Sequence, residues 1–194
     1  TIALSFLTYD CYIPLSPLPR LSLSMCGRYV IIDGKKILES FSRLKVKDTI
    51  ALFGSLPRYN ASPMQGLPVF AIRNDELIVQ EMQWWLVPHW SKDGKPSVSA
   101  FNARSETVTQ SKLFAPYFKA SRCLIPAEAF YEWTKAGVNK GEREGGNAKS
   151  AKQPICIRFK DQRPFMFAGI FSVWKDANGD EFPSFAILTT TPNE

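Results

Sequence analysis

Histidine is nearly absent from this chain of 194 residues, in which His89 is the only one. Catalysis by a Ser-His-Asp or Cys-His arrangement within the chain would therefore depend on that single residue. His89 stands between Pro88 and Trp90 in a predicted loop, a position more typical of a surface residue than of a catalyst. The scarcity of histidine thus sharply limits the mechanisms open to this protein.

Cysteine is also scarce, and the four cysteines are too widely spaced to form a Cys-x-x-Cys pair or a Cys/His cluster. Because structural zinc sites require such clusters, we expect no metal and no cofactor. Unpaired, reduced thiols are typical of intracellular proteins. We therefore expect the protein in the cytoplasm or nucleoid, or in the nucleus if its source is a eukaryote.

Long hydrophobic runs are missing too, since no stretch reaches the roughly 18 to 20 apolar residues that a membrane span requires. We therefore expect no membrane partner. Hydrophobic residues make up 45% of the chain and charged residues 22%, which is typical of a globular domain and excludes wholesale disorder, collagen and coiled coils. A total of 24 Lys and Arg against 18 Asp and Glu gives a net charge of +6. That excess permits a polyanionic partner without requiring one.

The chain divides into an extension, a single domain and one internal loop. Residues 1–24 are rich in Leu, Ser and Pro and lack the basic start of a secretory signal, so we expect them to lie outside the fold. Met25 follows directly, and translation of the working protein from Met25 is a hypothesis. Residues 25–194 form the predicted domain. Within it, residues 136–152 contain four glycines and many charges, which predicts a mobile surface loop inside a hairpin.

Hydrophobic periodicity predicts a strand-dominated α+β fold with few helices. Residues 28–32 are predicted to form a strand that ends in a turn at Asp33-Gly34, and apolar residues between Ile37 and Leu44 recur at helical spacing. Residues 67–72 and 77–84 flank a polar segment at 73–76, which indicates a hairpin. One or two helical turns are expected between residues 106 and 118. Further strands are predicted at 122–125, 129–134, 154–159, 165–172 and 182–189.

Cys26 is a candidate nucleophile if Met25 is the initiator, because removal of that methionine leaves Cys26 with a free α-amine. The amine, with a pKa of roughly 8, and the thiol, with a pKa of roughly 8.5, are both partly deprotonated near neutral pH. With an aldehyde the amine forms a Schiff base, and the thiol then closes a five-membered thiazolidine ring. The alternative is that Cys26 is a small buried hydrophobic residue.

Three further groups of residues have the chemistry of a binding or catalytic site. Asn102 and Arg104 are two residues apart, which in an extended segment puts both on one face, suited to a nucleic-acid backbone. Alternatively they cap a turn or pair with a carboxylate. Glu132 is set among apolar and aromatic residues, where burial would raise its pKa for acid–base work; it could equally be an exposed glutamate on a wet strand face. Trp84, Trp85 and Trp90 either stack on bases or form core.

A larger pattern appears when the blocks of the chain are read together. Seven blocks carry it: Met25-Cys26-Gly27-Arg28-Tyr29, Arg58-Tyr59-Asn60-Ala61-Ser62-Pro63, residues 84–90, residues 101–107, Arg122-Cys123-Leu124-Ile125-Pro126, residues 130–133 and Phe167-Ala168-Gly169-Ile170. In their order and spacing these blocks resemble the SRAP (SOS response-associated peptidase) family, the abasic-site processing proteins. The resemblance covers residues 25–194 and leaves out residues 1–24.

The resemblance implies a β-barrel-like core with a positively charged groove for single-stranded DNA that contains abasic sites. It implies that Cys26 crosslinks to the ring-opened aldehyde of the lesion and shields it, after self-processing by a peptidase activity that exposes the cysteine. Association with the replication fork and a monomeric state are also expected. The implied site residues are Asn102 near the reacting sugar, Glu132 as the acid–base group, Arg28 and Arg104 toward phosphates, Asn60, Pro63 and Trp84 lining the groove, and Thr189.

Two departures from the family pattern affect these expectations. The family continues to a His-x-Arg-Met-Pro segment whose histidine assists catalysis, whereas this chain stops at Glu194. We therefore expect a C-terminally truncated domain with an incomplete core and an exposed sheet edge. Trp85 stands where the family usually has glycine, which would crowd the groove and reposition Trp84.

Two alternative functions stay open at this stage. A noncovalent single-stranded-DNA-binding remnant without catalysis is favoured by the missing histidine and by the internal position of Cys26. A cysteine peptidase acting on proteins in general is disfavoured, because no Cys-His pairing is evident.

Overall fold

The computed structural model describes residues 27–46, 49, 54, 56–96, 99–135 and 152–191. The predicted extension at 1–24 lies outside these residues, and so does Cys26. The glycine-rich segment at 136–151 also lies outside them, so its mobility stays a prediction. The strands and helices with bounds in the described residues are β1 Tyr29–Ile31, α1 Gly34–Ser40, β2 Arg58–Ala61, β3 Gly66–Arg73, β4 Glu76–Trp84, β5 Asn102–Arg104, α2 Ala115–Ala120, β6 Arg122–Ala127, β7 Ala129–Lys135, β8 Lys152–Ile157, β9 Phe165–Lys175 and β10 Glu181–Thr189.

Five strands close into a barrel. The order β4-β3-β6-β9-β10 is antiparallel throughout, and β10 returns to pair in parallel with β4, with Phe185 opposite Trp84. Strand β5 adds to β10, again in parallel. A second sheet has the order β2-β1-β7-β8. The predicted strand-dominated fold with a β-barrel-like core and a few short helices is therefore confirmed.

The barrel is closed tightly enough to require glycine at one position. A Cβ atom on Gly169 of β9 would lie 2.4 Å from Cδ1 of Ile125 and 2.9 Å from the backbone oxygen of Ala186. These two residues belong to the strands on either side of β9, so a side chain at residue 169 would push both neighbours away. The absence of a side chain there lets the barrel wall pack at normal density.

Both predicted hairpins are present. Arg73 pairs with Glu76, and the two turn residues between them, Asn74 and Asp75, have φ angles of 51° and 62°. Two left-handed residues match the twist of a tight hairpin, and Asn and Asp tolerate that conformation better than most side chains. Strands β7 and β8 pair up to Lys135 opposite Lys152, on either side of the glycine-rich segment.

Other local features differ from the sequence predictions. Instead of ending in a turn, β1 leads into α1, whose first turn is capped by the Asp33 carboxylate, which accepts from the backbone N–H of Lys36 at 3.0 Å. Helix α1 ends at Ser40, although the apolar spacing continues to Leu44, which lies in a turn. Strands β2 and β5 were not predicted, because segments of four and three residues carry too little periodicity to be recognised.

Within the described residues, no helix is long and apolar enough to cross a membrane. The same residues contain no group of three or more His, Cys, Asp or Glu side chains arranged to hold a metal ion.

Candidate functional site

Trp84, at the end of β4, is the central side chain of the candidate site, and it is fully buried. Its indole N–H donates to the backbone oxygen of Phe101 at 2.8 Å. Its ring stacks on Phe185 of β10, with centroids 6.2 Å apart and planes 8° apart, and it contacts the Tyr29 ring of β1 at 5.3 Å. A single side chain thus contacts three segments that are far apart in the sequence.

The backbone of Trp84 binds a fourth segment. The N–H of Met64 donates to the Trp84 oxygen at 2.8 Å, and the N–H of Trp84 donates to the Gln65 oxygen at 2.9 Å. These bonds fix the turn that follows β2, which contains the half-buried Pro63. Asn60, which precedes this turn on β2, is exposed.

Several of the residues that the sequence singled out lie on the segments that Trp84 contacts. Arg28 precedes Tyr29, Asn102 follows Phe101, and Thr189 lies farther along the strand that holds Phe185. Trp84 itself has no exposed surface. A ring that lines a DNA groove would need exposed surface, which Trp84 does not have in this structure.

Strand β5 places Asn102 and Arg104 on one face, as their spacing predicts. Asn102 is buried opposite Ile187, whereas Arg104 is exposed opposite Thr189, which is half-buried. The N–H of Ser105 donates to the Thr189 oxygen at 2.8 Å and continues this pairing. One face of β5 thus carries the Asn102 amide near the core and the Arg104 guanidinium in solvent.

Glu106 fixes the end of β10 beside Arg104, a role that sequence reasoning missed. One carboxylate oxygen accepts from the backbone N–H of Thr191 at 2.8 Å and from the Thr190 hydroxyl at 3.0 Å. The bond from Thr191, reinforced by that from Thr190, holds the pKa of the Glu106 carboxyl below its ordinary value. No local signal could have revealed this, because the partners are more than 80 residues away in sequence.

Glu132 of β7 is buried, with 7% of its surface exposed. This excludes the alternative of a glutamate on a wet strand face. Loss of hydration raises the pKa of its carboxyl above the ordinary value, and a backbone hydrogen bond at Trp133 opposes this only in part. A carboxyl with a raised pKa is suited to acid–base catalysis near neutral pH.

The start of the described chain runs along the strand that carries Glu132. Tyr29 pairs with Phe130 in antiparallel register, and the Tyr131 N–H donates to the Arg28 oxygen at 2.9 Å. In an antiparallel pair, each step back from Tyr29 toward Gly27 corresponds to a step forward from Phe130 toward Glu132. The residue bonded to Gly27 on its amino side is Cys26, and its own position lies outside the described residues.

Trp90 and His89 form a surface cluster with Tyr117 of α2. The Trp90 ring is 50% exposed and stacks on Tyr117, with centroids 5.9 Å apart and planes 16° apart. His89 is exposed, and its Nδ1 atom lies 2.9 Å from the Tyr117 hydroxyl. The prediction of a surface position for His89 is therefore confirmed.

Trp85 is partly exposed and packs against Phe101 with ring centroids 5.2 Å apart. Its backbone N–H donates to the Phe185 oxygen at 3.0 Å. The large side chain is thus accommodated beside Phe101, while Trp84 keeps its buried contacts.

Comparison with known proteins gives these contacts a family context. The family model described as SOS response associated peptidase (SRAP) matches residues 25–194. A relative in Bacillus subtilis, abasic site processing protein YoaM, is 31% identical over 173 residues, which cover 88% of this chain and 69% of that protein. Abasic site processing protein HMCES of Mus musculus is 33% identical over 159 residues, covering 69% of this chain and 45% of that protein.

Solved structures agree with the sequence comparison. A crystal structure of a Bacteroides thetaiotaomicron protein superposes with a TM-score of 0.66 at 25% identity, over 87% of this chain and 69% of that one. A phage-related protein of Bordetella bronchiseptica superposes with a TM-score of 0.61 at 27% identity, over 85% of this chain and 69% of that one. With its seven sequence blocks, its closed barrel and a family match that extends over residues 25–194, this chain belongs to the SOS response associated peptidase (SRAP) family.

Proposed function

We propose that this protein senses abasic sites in single-stranded DNA and forms a covalent crosslink to them through Cys26 as the amino-terminal residue. The observation that carries the proposal is the buried Glu132, on the strand along which the chain runs back from Tyr29 toward Cys26. The names of the relatives, which describe abasic site processing, support the class of substrate. The proposal includes self-processing that removes residues 1–25, and an intracellular location.

The proposed reaction joins an aminothiol to an aldehyde with loss of one water. The α-amine of Cys26 attacks the C1′ aldehyde of the ring-opened sugar, and the resulting carbinolamine loses its hydroxyl as water to give an imine. The thiolate of Cys26 then adds to the imine carbon, and the nitrogen takes up a proton, which closes the thiazolidine. Protonated Glu132 supplies the proton that the departing hydroxyl needs.

The polar residues around Trp84 would hold the strand. Arg104 and Arg28 offer bidentate contacts to phosphates, and Asn102 offers an amide to the reacting sugar. Asn60, Pro63 and Thr189 complete the predicted DNA contacts. These side chains come from segments that Trp84 contacts directly or through a neighbouring residue.

The experiment that tests the proposal compares two forms of the protein on a denaturing gel. Protein that begins at Cys26 and the 194-residue form are each mixed with single-stranded DNA that contains one abasic site. We expect a heat-stable shifted band from the first form at once, because its Cys26 has a free α-amine, and from the 194-residue form only after residues 1–25 have been removed. A Cys26→Ala variant of the same length is the matched control, and circular dichroism shows that each form is folded.

Each outcome of this gel decides between the proposed functions. A band of unchanged intensity from the Cys26→Ala variant would contradict the covalent role of Cys26. If folded protein gives no band but still binds the DNA in a native gel, a noncovalent single-strand binder replaces the proposal.

Replacement of Arg104 by alanine is expected to weaken DNA binding and to reduce its salt dependence. Loss of one phosphate contact lowers the slope of log K against log salt concentration by about 0.7 for a single strand. Fluorescence anisotropy over a series of salt concentrations measures both quantities. Arg43→Ala, an exposed arginine just after α1, is the matched control and should leave the slope unchanged. An equal slope for the Arg104 variant and wild type would remove Arg104 from the DNA contacts.

A further inference from the structure

Residues 88–96, which we call the Trp90 loop, are closed by their own hydrogen bonds. The Ser91 N–H donates to the Pro88 oxygen at 2.9 Å, and the Ser91 hydroxyl donates to the Lys95 oxygen at 3.2 Å. The Lys95 N–H donates to the Asp93 carboxylate at 3.2 Å. The loop is therefore a compact turn held together by its own hydrogen bonds.

Trp174 of β9 anchors this unit to the barrel. Its indole N–H donates to the Ser91 oxygen at 2.8 Å. The edge of the same ring covers Gly94, where a Cβ atom would lie 2.7 Å from Cζ3 of Trp174 and where φ is +67°. Phe182 of the adjacent strand packs against the Trp174 ring, with ring centroids 5.5 Å apart. One side chain thus holds the loop by a hydrogen bond and by a close approach that only glycine permits.

The anchored loop displays the chemistry of a single-strand contact. Trp90 is half-exposed and stacks on Tyr117. Its loop is held on one side of Trp90 by the His89 N–H, which donates to the Tyr117 hydroxyl at 2.9 Å, and on the other side by Trp174. Lys92 and Lys95 are both exposed on the same short loop. An aromatic face next to cations allows a base to stack while its flanking phosphates are neutralised.

We propose that Trp174 is a positioning residue for single-stranded DNA, which it serves by holding the Trp90 loop in the orientation that binds the strand. The inference rests on the proposed binding of single-stranded DNA but does not need the crosslink. Trp174 is bonded to the loop through its indole nitrogen, and in this proposal it acts on DNA through Trp90 and the two lysines. A loop fixed before binding avoids the loss of conformational entropy that a free loop would pay on contact with DNA.

The test measures the affinity of the full 194-residue chain for a fluorescein-labelled oligothymidylate without abasic sites. Trp174→Phe keeps an aromatic ring but loses the hydrogen bond to Ser91. We expect the Kd to rise about 3- to 10-fold, the range that corresponds to the loss of one hydrogen bond. In a Trp90→Ala background the same change should raise the Kd by a smaller factor than in wild type, because only the two lysines are then left to transmit it.

A second variant disturbs the contact between the loop and Trp174 by changing the loop residue Gly94. Gly94→Ala puts a methyl group against the Trp174 ring and should also raise the Kd. Gly179→Ala is the matched control: Gly179 also has a positive φ, +90°, but a Cβ atom there would meet nothing within 4 Å. It separates backbone strain from loss of the Trp174 contact, and it should leave the Kd unchanged.

Hydrogen exchange of the free protein reports the anchor without DNA. Faster exchange of amides in residues 91–95 of the Trp174→Phe variant is expected. Unchanged exchange, or faster exchange with an unchanged Kd, would overturn the role of Trp174. An equal effect of Trp174→Phe with and without Trp90 would overturn it as well. Failure of wild-type protein to bind the oligonucleotide would instead contradict the proposed function itself.

Discussion

Crosslink formation by a Glu132→Gln variant is expected to be about 10²- to 10⁴-fold slower than in wild type, the usual contribution of a positioned acid–base group. Glutamine keeps the size and the hydrogen-bonding capacity of the buried side chain but cannot transfer a proton. The affinity for DNA should therefore stay within about 2-fold of wild type, which corresponds to a difference in binding free energy of roughly 0.4 kcal/mol. The rate is measured by quenching the reaction at saturating abasic-site DNA, and the affinity by anisotropy with DNA that lacks the lesion.

The pH profile should distinguish acid–base chemistry from a structural role. Burial raises the pKa of Glu132 above its ordinary value, so the carboxyl stays protonated to higher pH than an exposed glutamate. Above that raised pKa the protonated fraction falls tenfold per pH unit. Deprotonation of the Cys26 amine and thiol affects both proteins alike, so the ratio of the wild-type rate to the Glu132→Gln rate should fall with that fraction. Glu81→Gln, an exposed position on β4, should retain the wild-type rate and profile. Equal losses in rate and affinity would mean that Glu132 is structural.

The stability of wild type should depend on pH in the direction set by the same carboxyl. Because the folded-state pKa is raised above the unfolded one, the folded state binds more protons between the two pKa values. The free energy of unfolding therefore falls as the pH rises through that window. Denaturant titrations at several pH values should show this fall in wild type and its absence in the Glu132→Gln variant.

Replacement of Trp84 by alanine is expected to lower the free energy of unfolding by about 3–5 kcal/mol, the usual cost of removing a large aromatic side chain from a core. The cavity would open between Tyr29, Phe101 and Phe185, which all contact the ring. The bond that fixes the Phe101 oxygen would be lost with it. Urea denaturation followed by circular dichroism measures the change.

Trp90→Ala provides the comparison for Trp84, because its ring is half-exposed. Its loss should cost about 1 kcal/mol or less. Trp84→Phe, which retains an aromatic ring but not the indole N–H, should fall between the two. If the Trp84→Ala and Trp90→Ala variants unfold at the same urea concentration, Trp84 does not have the central packing role described above.

The sequence by itself determined the five strands of the barrel and the turn between β3 and β4. The hairpin at Asn74-Asp75 was predictable because its turn residues tolerate left-handed backbone and its strands carry a clear hydrophobic pattern. The residue types of the candidate site were also visible, since Cys26, Asn102 and Glu132 stand in blocks that resemble one family. Such patterns are local, and local patterns are sufficient to fix the register and turn geometry of a hairpin.

Only the tertiary structure decided which aromatic and charged side chains are buried. From the residue types alone, Trp84 and Trp90 could each stack on bases or form core. Closure of β10 onto β4 buries Trp84 completely, whereas Trp90 is half-exposed. Glu132 is buried by the packing of its sheet, and Glu106 and Trp174 acquire their roles from partners more than 80 residues away. Burial depends on pairings between distant strands, and the free energy of those pairings is not encoded in any short segment.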